Sequence, residues 1–114
     1  MPYFKLETNK TIGPEATTEL AGEISKLVSQ TLGKPEKFIM VSIQSGQNML
    51  FAGSDAPLVF VEMKSIGLPN TQMVSEKICA FIEEKLGVPK DRTYIEFADS
   101  PRHMFGWNGG TFEK

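Results

Sequence analysis

Leu32-Gly33-Lys34-Pro35 and Leu86-Gly87-Val88-Pro89 stand at equivalent places in two halves of the chain, each closing an apolar helical stripe and leading into an apolar strand. Internal repetition limits the fold more than composition can, because each unit must bury its apolar face against its own copy. The strand that begins at Pro2 corresponds to the one that begins at Pro57, so each half reads strand, helix, strand. Two such β-α-β units with right-handed crossovers predict a four-stranded mixed sheet carrying both helices on one face. The expected fold class is α/β (α+β), in a single domain over residues 1–114, a length that supports one modest core.

Periodicity places the elements. Phe4 and Leu6 alternate with Tyr3, Lys5 and Glu7, the period of a strand, which Thr8-Asn9-Lys10-Thr11 ends. Pro14 and Glu15 suit a first helical turn, and Ala16, Leu20, Ile24, Leu27, Val28 and Leu32 form one apolar stripe that Gly33 stops. A second strand is predicted over Phe38 to Ile43, a turn at 45–48, a short apolar piece over Met49 to Ala52, and a third strand over Leu58 to Met63. Asn70 or Thr71 can cap a second helix whose apolar face is Val74, Ile78, Phe81, Ile82 and Leu86, with Gly87 as its stop. Thr93 to Phe97 is the last strand. Phe38-Ile39-Met40-Val41 and Leu58-Val59-Phe60-Val61 are apolar at every position, a pattern of strands buried on both faces. One sheet face has no helix to cover it, so self-association is expected.

Charge removes several classes of partner. Twelve Lys and Arg against 14 Asp and Glu leave a net charge of -2, with no basic field for nucleic acid and no polybasic segment for an anionic membrane. The longest apolar run, Ala56 to Val61, is far too short to span a bilayer, and the first residues lack the basic head and apolar core of a secretory signal. A cytoplasmic protein is expected, with export by a route independent of such a signal left open. Cys79 is the only cysteine and lies within the second helical stripe, which excludes an intramolecular disulfide and a paired-cysteine metal site. No cofactor is implied. His103 has no neighbouring ligand types and reads as a surface residue, and Gly109-Gly110 lack the strand-to-helix setting of a phosphate loop.

The chemistry starts at Met1-Pro2. A small second residue favours removal of the initiator methionine, which would leave Pro2 with a free secondary amine, both base and nucleophile. A proline can equally open a strand because its missing N–H is not needed there. Other motifs bear on the choice: Met1-Pro2-x-Phe4, Leu32-Gly33-Lys34-Pro35, Ser65-Ile66-Gly67, Asp91-Arg92-x-Tyr94-Ile95, Gly106-Trp107-Asn108 and Thr111-Phe112. Together, across the whole chain, they resemble the macrophage migration inhibitory factor family of the tautomerase superfamily. The resemblance implies the tautomerase fold and a homotrimer whose sheets enclose the centre, with active sites at subunit interfaces. It implies Pro2 as catalytic base and acid in keto–enol tautomerisation of small aromatic α-keto acids such as phenylpyruvate.

Such a reaction removes a proton beside a carbonyl, so it needs a base near neutral pKa and a donor for the developing enolate oxygen. The resemblance assigns the substrate carboxylate or carbonyl to Lys34, although a cation there also complements a helix C-terminus. It assigns a donating backbone N–H to Ile66, in the strand-to-loop stretch Lys64-Ser65-Ile66-Gly67. Ser65 and Lys64 are further candidates for substrate binding, Lys64 alternatively being a solvated charge. Tyr94 is implied to enter from the neighbouring subunit. Tyr3, Phe38, Phe105, Trp107 and Phe112 fall at or beside the family's pocket wall, though aromatics equally serve as core.

Two departures matter. Glu96 stands where familiar members have an asparagine, and an acceptor-only carboxylate cannot donate to a substrate hydroxyl. Leu58 and Val61 replace the Cys-x-x-Cys motif of some members, so thiol–disulfide exchange is not expected. Two alternatives to the enzyme remain: a secreted cytokine-like or host-modulating binding protein with vestigial tautomerase activity, whose receptor is not legible, and a ferredoxin-like regulatory module.

Overall fold

The alternation of the first strand decides the layering. In the computed structural model, which describes residues 1–113, β1 (Tyr3–Thr8) buries Phe4, Leu6 and Thr8 on one side and leaves Tyr3, Lys5 and Glu7 half-buried on the other. Helices α1 (Pro14–Leu32) and α2 (Thr71–Leu86) lie on the buried side. Leu20, Ile24 and Val28 of α1 and Val74, Ile78 and Ile82 of α2 join Phe4 and Leu6 in one apolar cluster, at the helical spacing that makes one face of each helix apolar. Strands β2 (Met40–Gln44), β3 (Val59–Ser65) and β4 (Thr93–Asp99) complete a sheet of order β2-β1-β3-β4. β1 runs parallel to β2, β3 parallel to β4, and the two pairs meet antiparallel between β1 and β3. Each half is thus a β-α-β unit, as the repeat requires.

The repeat extends further than its motif. Gly33 and Gly87 end their helices at φ 67° and 68°, a left-handed conformation that glycine adopts without Cβ strain. A proline follows two residues later in each half, then a one-turn 3-10 helix, Glu36–Phe38 or Lys90–Arg92, then a strand. This turn corrects the expectation that Phe38 opens β2. Its N–H donates back to Pro35 O at 3.1 Å, which curls the backbone, and pairing with β1 begins only at Met40. Tyr3, not Pro2, opens β1; Leu58 lies outside β3, which runs on to Ser65; β4 runs on to Asp99. The piece at 49–52 forms only an isolated bridge, Phe51 to Ser54.

The uncovered sheet face is less apolar than two wholly apolar runs suggest. Inward positions take Val41, Ile43, Val59, Val61 and Met63, leaving one apolar residue per run, Met40 or Phe60, pointing outward within the strand. The register builds three outward rows: Met40, Tyr3, Lys64 and Ala98; then Ser42, Lys5, Glu62 and Glu96; then Gln44, Glu7, Phe60 and Tyr94. Lys5 in the middle row lies 3.7 Å from Glu7 and 4.0 Å from Glu62. The middle row is polar throughout, and each end row mixes apolar side chains with one charge, Lys64 or Glu7. No helix among the described residues is long and apolar enough to cross a membrane.

Candidate active site

Pro2 is buried immediately before β1, where its carbonyl accepts the Met40 N–H at 3.0 Å. It opens on a cavity of about 230 Å³ lined by Met1, Pro2, Tyr3, Lys37, Phe38, Ile39, Met40, Phe105, Gly106, Trp107 and Phe112. The far wall is made by the chain after β4. A 3-10 turn at Arg102–Met104 leads into a hairpin of β5 (Gly106–Trp107) and β6 (Gly110–Thr111). Its two turn residues, Asn108 and Gly109, have φ of 53° and 81°, the pattern of a type I′ turn, which Asn-Gly favours. The hairpin carries Trp107 to the Phe38 ring, edge to face at 6.1 Å, and stacks it on Phe112 at 6.1 Å. Phe105 meets Phe112 edge to face at 5.9 Å, while Arg102 Nε holds the Phe112 carbonyl at 2.9 Å.

The cavity thus gathers Pro2, Tyr3, Phe38, Phe105, Trp107 and Phe112 from three separated stretches of chain. Sequence patterns do not mark Lys37, Ile39, Met40 or Gly106 as cavity wall. For Gly106 the signal is the Asn108-Gly109 pair, which marks a hairpin around it; for Ile39 and Met40 only the register with β1 reveals them.

Lys34, Ser65 and Ile66 form a second group that is not part of the cavity wall, with the Lys34 ammonium near enough to the Met1 amine to act on it. Lys34 Nζ donates to the Ile66 carbonyl at 2.5 Å. The Ser65 side chain is fully buried, with its hydroxyl 3.5 Å from the same carbonyl, so it serves the loop and does not face a ligand. Lys64 is exposed and borders a neighbouring groove shared with Tyr3, Met40, Ser100, Met104, Phe105 and Gly106. Tyr94 and Glu96 are not brought to this cavity. Tyr94 is 60% exposed at the opposite end of the sheet, its ring 4.6 Å from Phe51, and Glu96 lies in the central outward row beside Glu62.

Electrostatics favour a neutral amine here. Burial, and then the Lys34 ammonium, hold the terminal amine of Met1 below its ordinary range, since both disfavour the protonated form. Removal of Met1 would shift that amine one residue inward, to the buried Pro2. Burial has the opposite consequence for Cys79 on α2, raising its thiol pKa and so reducing its thiolate content. His103 lies on the surface, 3.7 Å from Glu113.

A duplicated β-α-β sheet, with a proline at the head of its first strand closing an aromatic cavity, defines a protein of the tautomerase superfamily. The family model described as macrophage migration inhibitory factor matches residues 1–113. This chain belongs to that family. It is 35% identical over 115 residues to a macrophage migration inhibitory factor homolog of Brugia malayi, covering 98% of this chain and 99% of that one. Among solved structures, the homologue from Prochlorococcus marinus superposes with a TM-score of 0.89 at 42% identity, covering 97% of this chain and 99% of its own. The factor from Trichinella spiralis gives 0.88 at 34% identity, over 96% and 98% of the two chains.

Proposed function

We propose that the protein is a keto–enol tautomerase that acts on small aromatic α-keto acids such as phenylpyruvate, with the Pro2 amine as base and then acid. The observation that carries this reading is the buried position of Pro2 at the mouth of an aromatic cavity, with the Lys34 charge acting on the adjoining terminal amine. Family membership supports isomerase chemistry of this kind. In the proposed cycle the neutral Pro2 amine removes the proton from the carbon beside the ketone, and the electron pair moves onto the carbonyl oxygen. Lys34 and the Ile66 N–H stabilise the charge that develops there, and the prolinium ion then returns its proton to complete the shift. Phe38, Trp107 and Phe112 hold the substrate ring and exclude water. Removing the Lys34 charge should be felt mainly by a charged substrate. We expect Lys34→Ala to raise KM for the keto acid by roughly tenfold, the scale of one charged hydrogen bond. Its effect on the methyl ester should be smaller. Equal changes for both, measured by steady-state kinetics, would return Lys34 to a helix-end role.

The proposal includes a homotrimer with sites shared between subunits. Tyr94 and Leu50 are 60% and 72% exposed at the sheet end remote from their own cavity, where a neighbouring copy could receive them. Sedimentation at micromolar concentration is expected to give a trimer, and a stable, active monomer would contradict the shared site. The relatives are named as factors that inhibit macrophage migration, which favours a second reading, a secreted cytokine-like or host-modulating binding protein with vestigial tautomerase activity. A Pro2 variant that kept full signalling but lost tautomerase rate would separate the two.

A further inference from the structure

The loop that carries Ile66 is held from the end of β4 by one side chain. Asp99 Oδ1 accepts the Gly67 N–H at 2.8 Å, and Asp99 Oδ2 accepts the Leu68 N–H at 3.3 Å. One residue further on, the Ser100 N–H donates to the Ser65 carbonyl at 2.8 Å. Ile66 is therefore bracketed on both sides by β4 and its successor. The Ile66 carbonyl receives Lys34 Nζ, and its N–H meets no acceptor among the described residues. Gly67, at φ 74°, turns the chain so that consecutive amides face a single carboxylate.

Building on the tautomerase reading, we propose that Asp99 is a positioning residue for the keto-acid site, fixing the Ile66 peptide that presents the free N–H and anchors the Lys34 ammonium. Charge-assisted hydrogen bonds to two successive amides are stronger than neutral ones and hold a short loop in one geometry. The donor pair is then placed before the substrate arrives, so less ordering is left to be done on binding. Asp99 itself needs no contact with the substrate. Its effect passes through the loop and should be greatest for ligands that use the Lys34 charge.

The test compares native protein with Asp99→Ala, Asp99→Asn, Lys34→Ala and the Asp99→Ala/Lys34→Ala pair, using phenylpyruvate and its methyl ester. Turnover is measured alongside binding, the latter by fluorescence of Trp107, the chain's one tryptophan, which lines the cavity. Asp99→Ala is expected to lower the acid-over-ester preference by roughly tenfold, toward that of Lys34→Ala, the scale of one misplaced charged hydrogen bond. Asp99→Asn, which can still accept from Gly67, should lose less. Within the Lys34→Ala background, Asp99→Ala should change the preference no further. Equal losses on acid and ester, or independent effects in the double variant, would make Asp99 a loop staple only and overturn the proposal while leaving the tautomerase reading intact. Acid binding that depends on Asp99 in a native protein without turnover would keep the positioning role and sink the enzymatic reading. No binding of either ligand by native protein would overturn both.

Discussion

Protein processed to begin at Pro2 is expected to lose a factor of about 10² to 10⁴ in phenylpyruvate tautomerisation when Pro2 is changed to alanine, the usual range for general acid–base catalysis. The substituted chain still has a terminal amine, but a primary one of different basicity and shape at the cavity mouth. Retention of Met1 should cost at least as much, because it turns the proline nitrogen into an amide with no basic lone pair. The pH profile gives a second sign. A base that must be neutral works better as pH rises through its pKa. Burial and then Lys34 depress the Met1 amine; the same surroundings acting on the Pro2 amine freed by processing should place that rise below the ordinary range for α-amino groups, roughly 7.7–8.0. Moving Lys34 out of range by Lys34→Ala should shift the rise upward. Rates measured for processed, Met1-retaining and Pro2→Ala proteins at equal assembly decide the matter. If all three matched, Pro2 would have no part in the chemistry.

Phe4→Ala should destabilise the fold by about 3–5 kcal/mol, the usual consequence of removing a buried phenylalanine. Phe4 is 1% exposed, faces both helices, and sits in β1 with a paired strand on either side, so its neighbours have little freedom to collapse into the void. Against a total of roughly 5–15 kcal/mol for a natural domain, that loss brings the protein close to unfolding. Tyr3→Ala, one residue away, points to the other face and is half-buried, so a cost of about 1 kcal/mol is expected. Denaturant unfolding at one fixed protein concentration tests the contrast, since association also contributes to the apparent stability. Similar losses at the two positions would mean that the outward face contributes as much to stability as the core.

Phe4 and Tyr3 also show how much of a fold a linear pattern carries. A two-residue period fixes which side chains face inward without knowledge of the neighbours, and the helical stripes through Ile24 and Ile78 do the same at their own period. The Leu-Gly-x-Pro repeat then sets the topology. Phe38 resists the same reading because an apolar residue before an apolar strand looks like part of it; only the hydrogen bond back to Pro35 takes it out of the pleat. Met40 and Ile39 are hidden for a related reason, since their place beside Pro2 is a matter of register between distant segments. Lys34 and Ile66 stand out as ligand-binding candidates by resemblance, yet nothing in their spacing reveals that they touch each other. The Asp99 grip on Gly67 and Leu68 depends on a turn whose direction the glycine permits but does not announce. Tyr94 and Glu96 stand apart from the cavity because the register of β4 on β3 places Tyr94 at the far end of the sheet and Glu96 in its central row, away from Pro2.

Duplication supplies two of everything that a scaffold needs. Phe38 and Arg92 occupy matching ends of matching turns, yet the first walls a cavity while the second donates to the carbonyls of Phe51, Ser54, Ala56 and Pro57. Pro57, the counterpart of Pro2, is spliced into mid-chain, and its nitrogen is an amide. A polypeptide has only one beginning, so the two halves cannot both offer a basic amine, however alike their backbones are. Connectivity itself breaks the symmetry. The half without a chain end has no such nitrogen, and its matching corner is a structural joint.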